Sequence, residues 1–229
     1  MKKIVFVLMG VALLVSCKYH VSKTVSSSAQ EKRALTGFER IEMKGSMDVK
    51  YVQADSFSVK VSAPNDVIDK VETIVENNTL KVSMKHSGRI INFGGDSDDV
   101  TVYVTSPDFL GVSLMGSGDF LCAQPLDTDT LTIDLKGSGD IYFKDIICDH
   151  VSASVVGSGD VKVERVRTQQ ARLDVVGSGD IEMDFDRSGF VDAQVKGSGD
   201  IELKGTVKVL SQNVRGSGDI DTEELTIGK

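Results

Sequence analysis

Six tetrapeptides of identical sequence, Gly-Ser-Gly-Asp, begin at Gly116, Gly137, Gly157, Gly177, Gly197 and Gly216, at spacings of 21, 20, 20, 20 and 19 residues. One such tetrapeptide would mean only a turn. Six at near-constant spacing mean one structural unit built repeatedly. A degenerate copy, Gly45-Ser46-Met47-Asp48, stands far upstream.

The flanks of the turn keep the same register. Leu114, Leu135, Val155, Val175, Val195 and Val214 stand two residues before each first Gly. Phe120, Ile141, Val161, Ile181, Ile201 and Ile220 stand one residue after each Asp. Polar residues such as Ser154, Asp174, Lys162 and Glu182 fall between the apolar ones. Period-two alternation on both sides of a turn is the mark of half-buried strands. One further apolar residue recurs in the connector: Leu126, Ile146, Val166, Phe185, Val207 and Leu225. Each unit therefore reads strand, tight turn, strand, connector.

Hairpins and solenoid coils both use such units. Equivalent residues recur at equivalent positions, as parallel stacking requires, and Gly-Ser-Gly-Asp is not the Asn-Gly or Asp-Gly loop of tight hairpins. The expected fold is all-β: a parallel β-solenoid with coils of about 20 residues, right-handed by the usual crossover rule. A coil buries about six apolar side chains, worth on the order of 10 kcal/mol gross. Backbone ordering offsets most of that, so a lone coil would not fold.

A narrow corner needs positive φ or close backbone approach, which Gly allows, and Ser and Asp bond nearby amides in turns. Stacking sets Asp119, Asp140, Asp160, Asp180, Asp200 and Asp219 in one file about 4.8 Å apart, where neighbouring carboxylates repel by about 1 kcal/mol in a water-like dielectric. Turn amides, Ser hydroxyls or a cation must offset this. Calcium-binding β-rolls also combine Gly and Asp, but with a binding turn at both ends of every coil. A structural turn ladder with no metal is the reading adopted, with calcium as the alternative.

Residues 37–111 are less regular. Ile41, Met43, Val49 and Tyr51 flank the degenerate turn in the register of the later coils. Alternating runs follow around Val59, Val82 and Val102, and Asn77-Asn78 suits a hairpin turn. Val67, Val71, Ile74 and Val75 could instead share a helix face, leaving room for a short helix near residues 66–70. Residues 88–99 read as a Gly-rich loop. This half is expected to be an irregular β region capping the solenoid of residues 112–229.

The N-terminus carries Lys2 and Lys3, an apolar run over residues 4–15, then Leu14-Val15-Ser16-Cys17. The run is shorter than the roughly 20 residues a spanning helix needs and has the length of a signal-peptide core. The four residues resemble a lipobox, which implies a signal of residues 1–16 and acylation of Cys17. An ordinary signal peptide ending near a cysteine is the alternative. Residues 17–36 are Ser-rich and polar, a tether from a lipid anchor in the membrane. Lys18-Tyr19-His20 lacks the acidic run of a surface-export signal, which favours the periplasmic side of the outer membrane.

Net charge is −8 with no basic run outside the signal, which argues against nucleic acid as a partner. His20, His86 and His150 lie far apart, and no HExxH, Walker or GxSxG motif occurs. The Ser residues of the turns have no repeated His partner. No catalytic residue and no cofactor is assigned. Cys122 sits at an inward strand position and Cys148 in a connector, so two free thiols are expected rather than a disulfide.

The pattern Phe38, Ile41, Gly45-Ser46-Met47-Asp48-Val49, then Val59-Lys60-Val61-Ser62-Ala63-Pro64, Thr79-Leu80-Lys81-Val82 and Val102-Tyr103-Val104-Thr105-Ser106-Pro107, followed by the Gly-Ser-Gly-Asp turns, resembles the putative auto-transporter adhesin, head GIN domain family over residues 37–220. The resemblance implies an exported β-solenoid protein and brings no catalytic residues. Two function classes compete: a non-enzymatic envelope module that binds a cell-envelope or extracellular polymer or protein, and a polysaccharide-acting β-helix enzyme. Short uniform connectors, no Trp and four Tyr favour the first. At the C-terminus, Asp219, Asp221, Glu223 and Glu224 are expected to form an acidic minimal cap, leaving a monomer.

Overall fold

The computed structural model describes residues 28–85 and 100–228. The signal, Cys17 and the 88–99 stretch expected as a loop lie outside these residues. Strand β1 (Ser28–Arg33) is followed by β2 (Arg40–Gly45) and β3 (Asp48–Gln53), which meet at the degenerate turn. Next come β4 (Ser58–Pro64), a single 3-10 turn (Ile68–Lys70), β5 (Val71–Glu76), β6 (Thr79–Met84) and β7 (Thr101–Ser106). The regular coils are β8 (Gly111–Gly116) with β9 (Phe120–Asp127), β10 (Thr130–Gly137) with β11 (Ile141–Ile147), and β12 (His150–Gly157) with β13 (Val161–Arg167). Then follow β14 (Gln170–Gly177), β15 (Ile181–Gly197), β16 (Ile201–Gly216) and two short strands, β17 (Ile220–Asp221) and β18 (Leu225–Ile227).

These strands form the expected parallel β-solenoid. Strands that precede the turn stack into one wall, β6–β2–β8–β10–β12–β14, continued by the second halves of β15 and β16. Strands that follow it stack into a second wall, β7–β3–β9–β11–β13, continued by the first halves of β15 and β16 and by β17. All these pairings are parallel, and glycine meets glycine: Gly45 faces Gly116, Gly116 faces Gly137, and so on to Gly216.

Sequence order and spatial order part company at the N-terminal end. The coil formed by β2 and β3 lies between β6/β7 and β8/β9. The chain thus lays down its second coil first, steps outward through β4 and β5 to build a coil outside it, then returns to continue inward. The irregular segment is this excursion, and β2–β3 is a full member of the stack. Asn77 and Asn78, at φ 50° and 60°, turn β5 back on β6 as an antiparallel hairpin. Val71, Ile74 and Val75 lie in β5, and the possible helix shrinks to the one 3-10 turn. On the second wall, β4 pairs antiparallel with β7 and β1 with β4. Residues 28–33, within the stretch expected as a tether, form an edge strand instead. Its single inward apolar residue, Ala29, gave too weak an alternation to read as one.

Inside the walls the inward residues are buried almost without exception; Ile133, Leu135, Phe143, Ala153, Leu173 and Val195 are each 0 % exposed. Tyr51, Phe109, Phe120 and Phe143 run along the axis at the capped end, with centroids 4.2, 5.8 and 5.3 Å apart in succession. Tyr51 is there at a polar cost, met by its hydroxyl, which lies 3.0 Å from Ser106 Oγ and donates to the Ser106 carbonyl at 3.2 Å. At the C-terminal end the expected cap covers one wall only. β17 and β18 pair with the first half of β16, while residues 211–216 of its second half are exposed.

Candidate functional site

Both glycines of a stacked turn are crowded by the coil before, a Cβ on Gly137 standing 2.0 Å from the Gly116 carbonyl oxygen, and the first carries a conformational demand as well. Every first Gly, from Gly45 to Gly216, has φ between +117° and +145°, a region closed to residues with a Cβ. Every second Gly is required by its neighbour: a Cβ on Gly139 would stand 2.0 Å from the Gly118 carbonyl oxygen, and one on Gly159 2.0 Å from that of Gly139. The degenerate turn obeys the same logic. A Cβ on Gly45 meets nothing within 4 Å, so no described turn stacks beneath this one, and Met47 replaces the second Gly with its side chain 3 % exposed.

Asp closes each turn and binds the next. The backbone N–H of Asp119 donates to Asp48 Oδ1 at 3.0 Å, that of Asp140 to Asp119 at 3.0 Å, and that of Asp160 to Asp140 at 3.1 Å. Asp180, Asp200 and Asp219 continue the file at 2.9, 2.7 and 2.7 Å. The structure thus places the six sequence-predicted aspartates in one file and adds Asp48, whose signal was the degenerate copy itself. Each carboxylate from Asp48 to Asp200 spends one oxygen on an amide of the following coil, which offsets like-charge repulsion. The Ser and second-Gly amides of each turn donate to the first Gly carbonyl of the coil before, as Ser158 and Gly159 do to Gly137 at 2.9 and 3.2 Å.

A groove of about 740 Å³ runs beside this file, between the aspartates and the outward residues Tyr142, Lys162, Glu182 and Glu202. Lys162 bridges to Glu182 at 2.7 Å, and Lys204 to Glu182 and Glu202 at 3.1 and 2.8 Å. The Lys162 ammonium holds the Glu182 carboxyl below its usual range, against the opposing effect of burial and with help from Lys204. Among the described residues, no group of three or more His, Cys, Asp or Glu side chains is placed to hold a metal ion.

The opposite corner is lined by small polar residues. Thr128, Cys148, Thr168 and Ser188 occupy successive coils there. Cys148 donates to Thr168 Oγ1 at 3.6 Å, and the Thr168 N–H donates to Ser188 Oγ at 3.1 Å. Cys122 and Cys148 are both free and buried. Burial pushes the Cys122 thiol up to about 11 and raises that of Cys148, which makes both poor nucleophiles. A second groove of about 630 Å³ follows this corner past Asp149, Arg167, Arg187 and Phe190. His150 is exposed at the start of β12. His20 and His86 lie outside the described residues.

No helix among the described residues is long and apolar enough to cross a membrane. A comparison with curated proteins finds no match. Among solved structures, a putative adhesin from Bacteroides fragilis superposes with a TM-score of 0.70 at 25 % identity, covering 85 % of this chain and 96 % of that one. A putative lipid binding protein from Parabacteroides distasonis gives 0.68 at 20 % identity, covering 86 % and 96 %. A putative adhesin from Parabacteroides merdae gives 0.66 at 18 %, covering 86 % and 97 %. The last two show the fold alone. The model of one family matches residues 37–183 and 157–229. With its repeated turn, stacked walls and this match over most of its length, the chain belongs to the family described as putative auto-transporter adhesin, head GIN domain.

Proposed function

We propose that this protein is a non-enzymatic, adhesin-like binding module of the cell envelope, exported by residues 1–16 and held by an acylated Cys17 to the periplasmic side of the outer membrane. The observation that carries the binding role is the regular parallel register of the stacked coils, which on the first wall runs from β2 to β15 without a shift. Outward positions recur at the coil rise of about 4.8 Å, so a polymer of similar repeat meets evenly spaced contacts along the stack. Many weak contacts give avidity without a deep pocket. Family membership supports the same reading.

The test is to incubate the protein with a panel of envelope and extracellular glycans and matrix proteins, following retention and new reducing ends together. Retention without cleavage is expected. New reducing ends would favour the polysaccharide-acting enzyme. The anchor is tested by Cys17→Ser, which should release the protein from membranes or block signal processing. A variant that is fully processed and still membrane-bound would overturn it. Labelling intact cells with an impermeant reagent should leave the protein unmodified if it faces the periplasm.

A further inference from the structure

One row of outward side chains crosses the second wall along the stack axis, and its charge is sorted. At the capped end, Lys32 stands beside Lys60, Lys60 beside Tyr103, and Tyr103 beside Lys50. Through Leu121 and Tyr142 the row continues to Lys162 and ends on Glu182, Glu202 and Asp221. Lys60 Nζ lies 4.6 Å and Lys50 Nζ 6.0 Å from the Tyr103 ring centroid. Tyr103 is 38 % exposed and nearby Val52 39 %. Lys32, Lys50 and Lys60 have no carboxylate partner among the described residues, whereas Lys162 and Lys204 at the far end are each bridged to glutamates. The adjoining row holds Ser62, Thr101 and Asp48, and the Asp48 carboxylate is already bonded to the Asp119 amide.

An exposed phenol, an exposed valine and three ammonium groups with no carboxylate partner among the described residues, on a protein of net charge −8, are the chemistry of a headgroup layer. Tyr settles at the membrane–water interface, lysines are drawn to anionic lipid, and their stems lie along apolar surface. The covalent path brings the membrane to the same place. β1, which carries Lys32, is the outermost strand of this wall and begins eleven residues after Cys17 (28 − 17), a reach of at most about 40 Å. We propose that the face formed by Lys32, Lys50, Lys60 and Tyr103 docks on an anionic phospholipid surface, setting the capped end against the bilayer and the acidic end away from it. The inference rests on the lipoprotein reading for the anchor that keeps the face near the membrane; the contact itself needs only the face.

Because the chain has no Trp, Tyr103→Trp supplies a single fluorescent reporter. The mature lipoprotein is reconstituted into phosphatidylcholine vesicles with or without phosphatidylglycerol, with brominated acyl chains as the quencher. Quenching at position 103 is expected with phosphatidylglycerol and should fall as salt is raised. Changing Lys32, Lys50 and Lys60 to Gln should weaken the attraction by about fivefold per lysine, at an unchanged melting temperature. Phe190→Trp, several coils away on the other wall, should stay unquenched in both lipids. Quenching that ignores phosphatidylglycerol, survives the triple change, or is stronger at 190 than at 103 overturns the proposal. The mass of the mature N-terminus separates the two readings: an unacylated Cys17 sinks the anchor alone, since docking is then read by adding the protein to the same vesicles.

Discussion

The backbone N–H of Asp160 donates to Asp140 Oδ1 at 3.1 Å, and Asp160 Oδ1 accepts in turn from Asp180 at 2.9 Å. Six such links make the carboxylates of Asp48, Asp119, Asp140, Asp160, Asp180 and Asp200 acceptors for the coil that follows. An alanine at 160 leaves the Asp180 amide without its partner, and should cost about 1–2 kcal/mol. Asn keeps an oxygen in place, so Asp160→Asn should cost less than Asp160→Ala in chemical denaturation.

Calcium should do little. One oxygen of each linked carboxylate is already committed to an amide, so millimolar calcium is expected to leave the melting temperature within a degree or two. A saturable rise of several degrees, abolished in the Asp160→Asn, Asp180→Asn double variant, would show that the file is a cation site.

The second glycine of a stacked turn is a stricter requirement than Met47, which holds the same position in the degenerate turn. Gly159→Ala would drive a methyl to 2.0 Å from the Gly139 carbonyl oxygen. Backbone must move to relieve this, and a loss of more than about 3 kcal/mol is expected. Met47→Gly enlarges no clash and removes only apolar packing, so it should cost less. Urea titrations of both variants check the order.

Acid should loosen the second wall. Glu182 has its folded-state pKa lowered, chiefly by Lys162, from an ordinary value of 4.5. A lowered carboxylate contributes stability that is present above its unfolded value and is lost as pH falls through the folded one. The melting temperature should therefore drop below about pH 4.5, and Glu182→Gln should flatten that drop while leaving the neutral-to-alkaline side little changed. An equally steep acid limb in the variant would place the labile group elsewhere.

Cys122 and Cys148 should resist alkylation by iodoacetamide at pH 8 in the folded protein and react fully in denaturant, because burial holds both thiols protonated. Rapid native labelling of Cys122 would mean that the wall at Phe143 opens far more easily than its burial suggests.

The repeat could be read from residues alone because stacking writes itself into spacing: Val155, Val175 and Val195 recur at 20 because each sits on the last. Spacing is silent about which way a hydrogen bond runs. It could assign Gly to a turn without showing that both glycines are crowded by a carbonyl of the coil before and that the first also has positive φ. It could place Asp48 in a degenerate copy, but not show that its carboxylate reaches Asp119, 71 residues away. The excursion through β4 to β7 was hidden for the same reason. Parallel register between Gly45 and Gly116 is long-range, and a local pattern carries no record of what lies between two coils in space. β1 failed as a pattern because Ser28, Gln30 and Lys32 alternate with Ala29, Glu31 and Arg33, almost without hydrophobic contrast.

The reversed order at the N-terminal end has a consequence for growth. β5 and β1 bound the two walls there as antiparallel strands, outside the parallel register of the repeat. The coils from Gly137 onward pair in parallel: each touches only the one before and the one after. Copy number in this region is therefore a free dimension. Duplicating one 20-residue unit, from Gly157 to the residue before Gly177, would lengthen the rod by about 4.8 Å while leaving the buried aromatic file and the lysine face as they are. Reach from the N-terminal end can in this way be set by gene duplication alone.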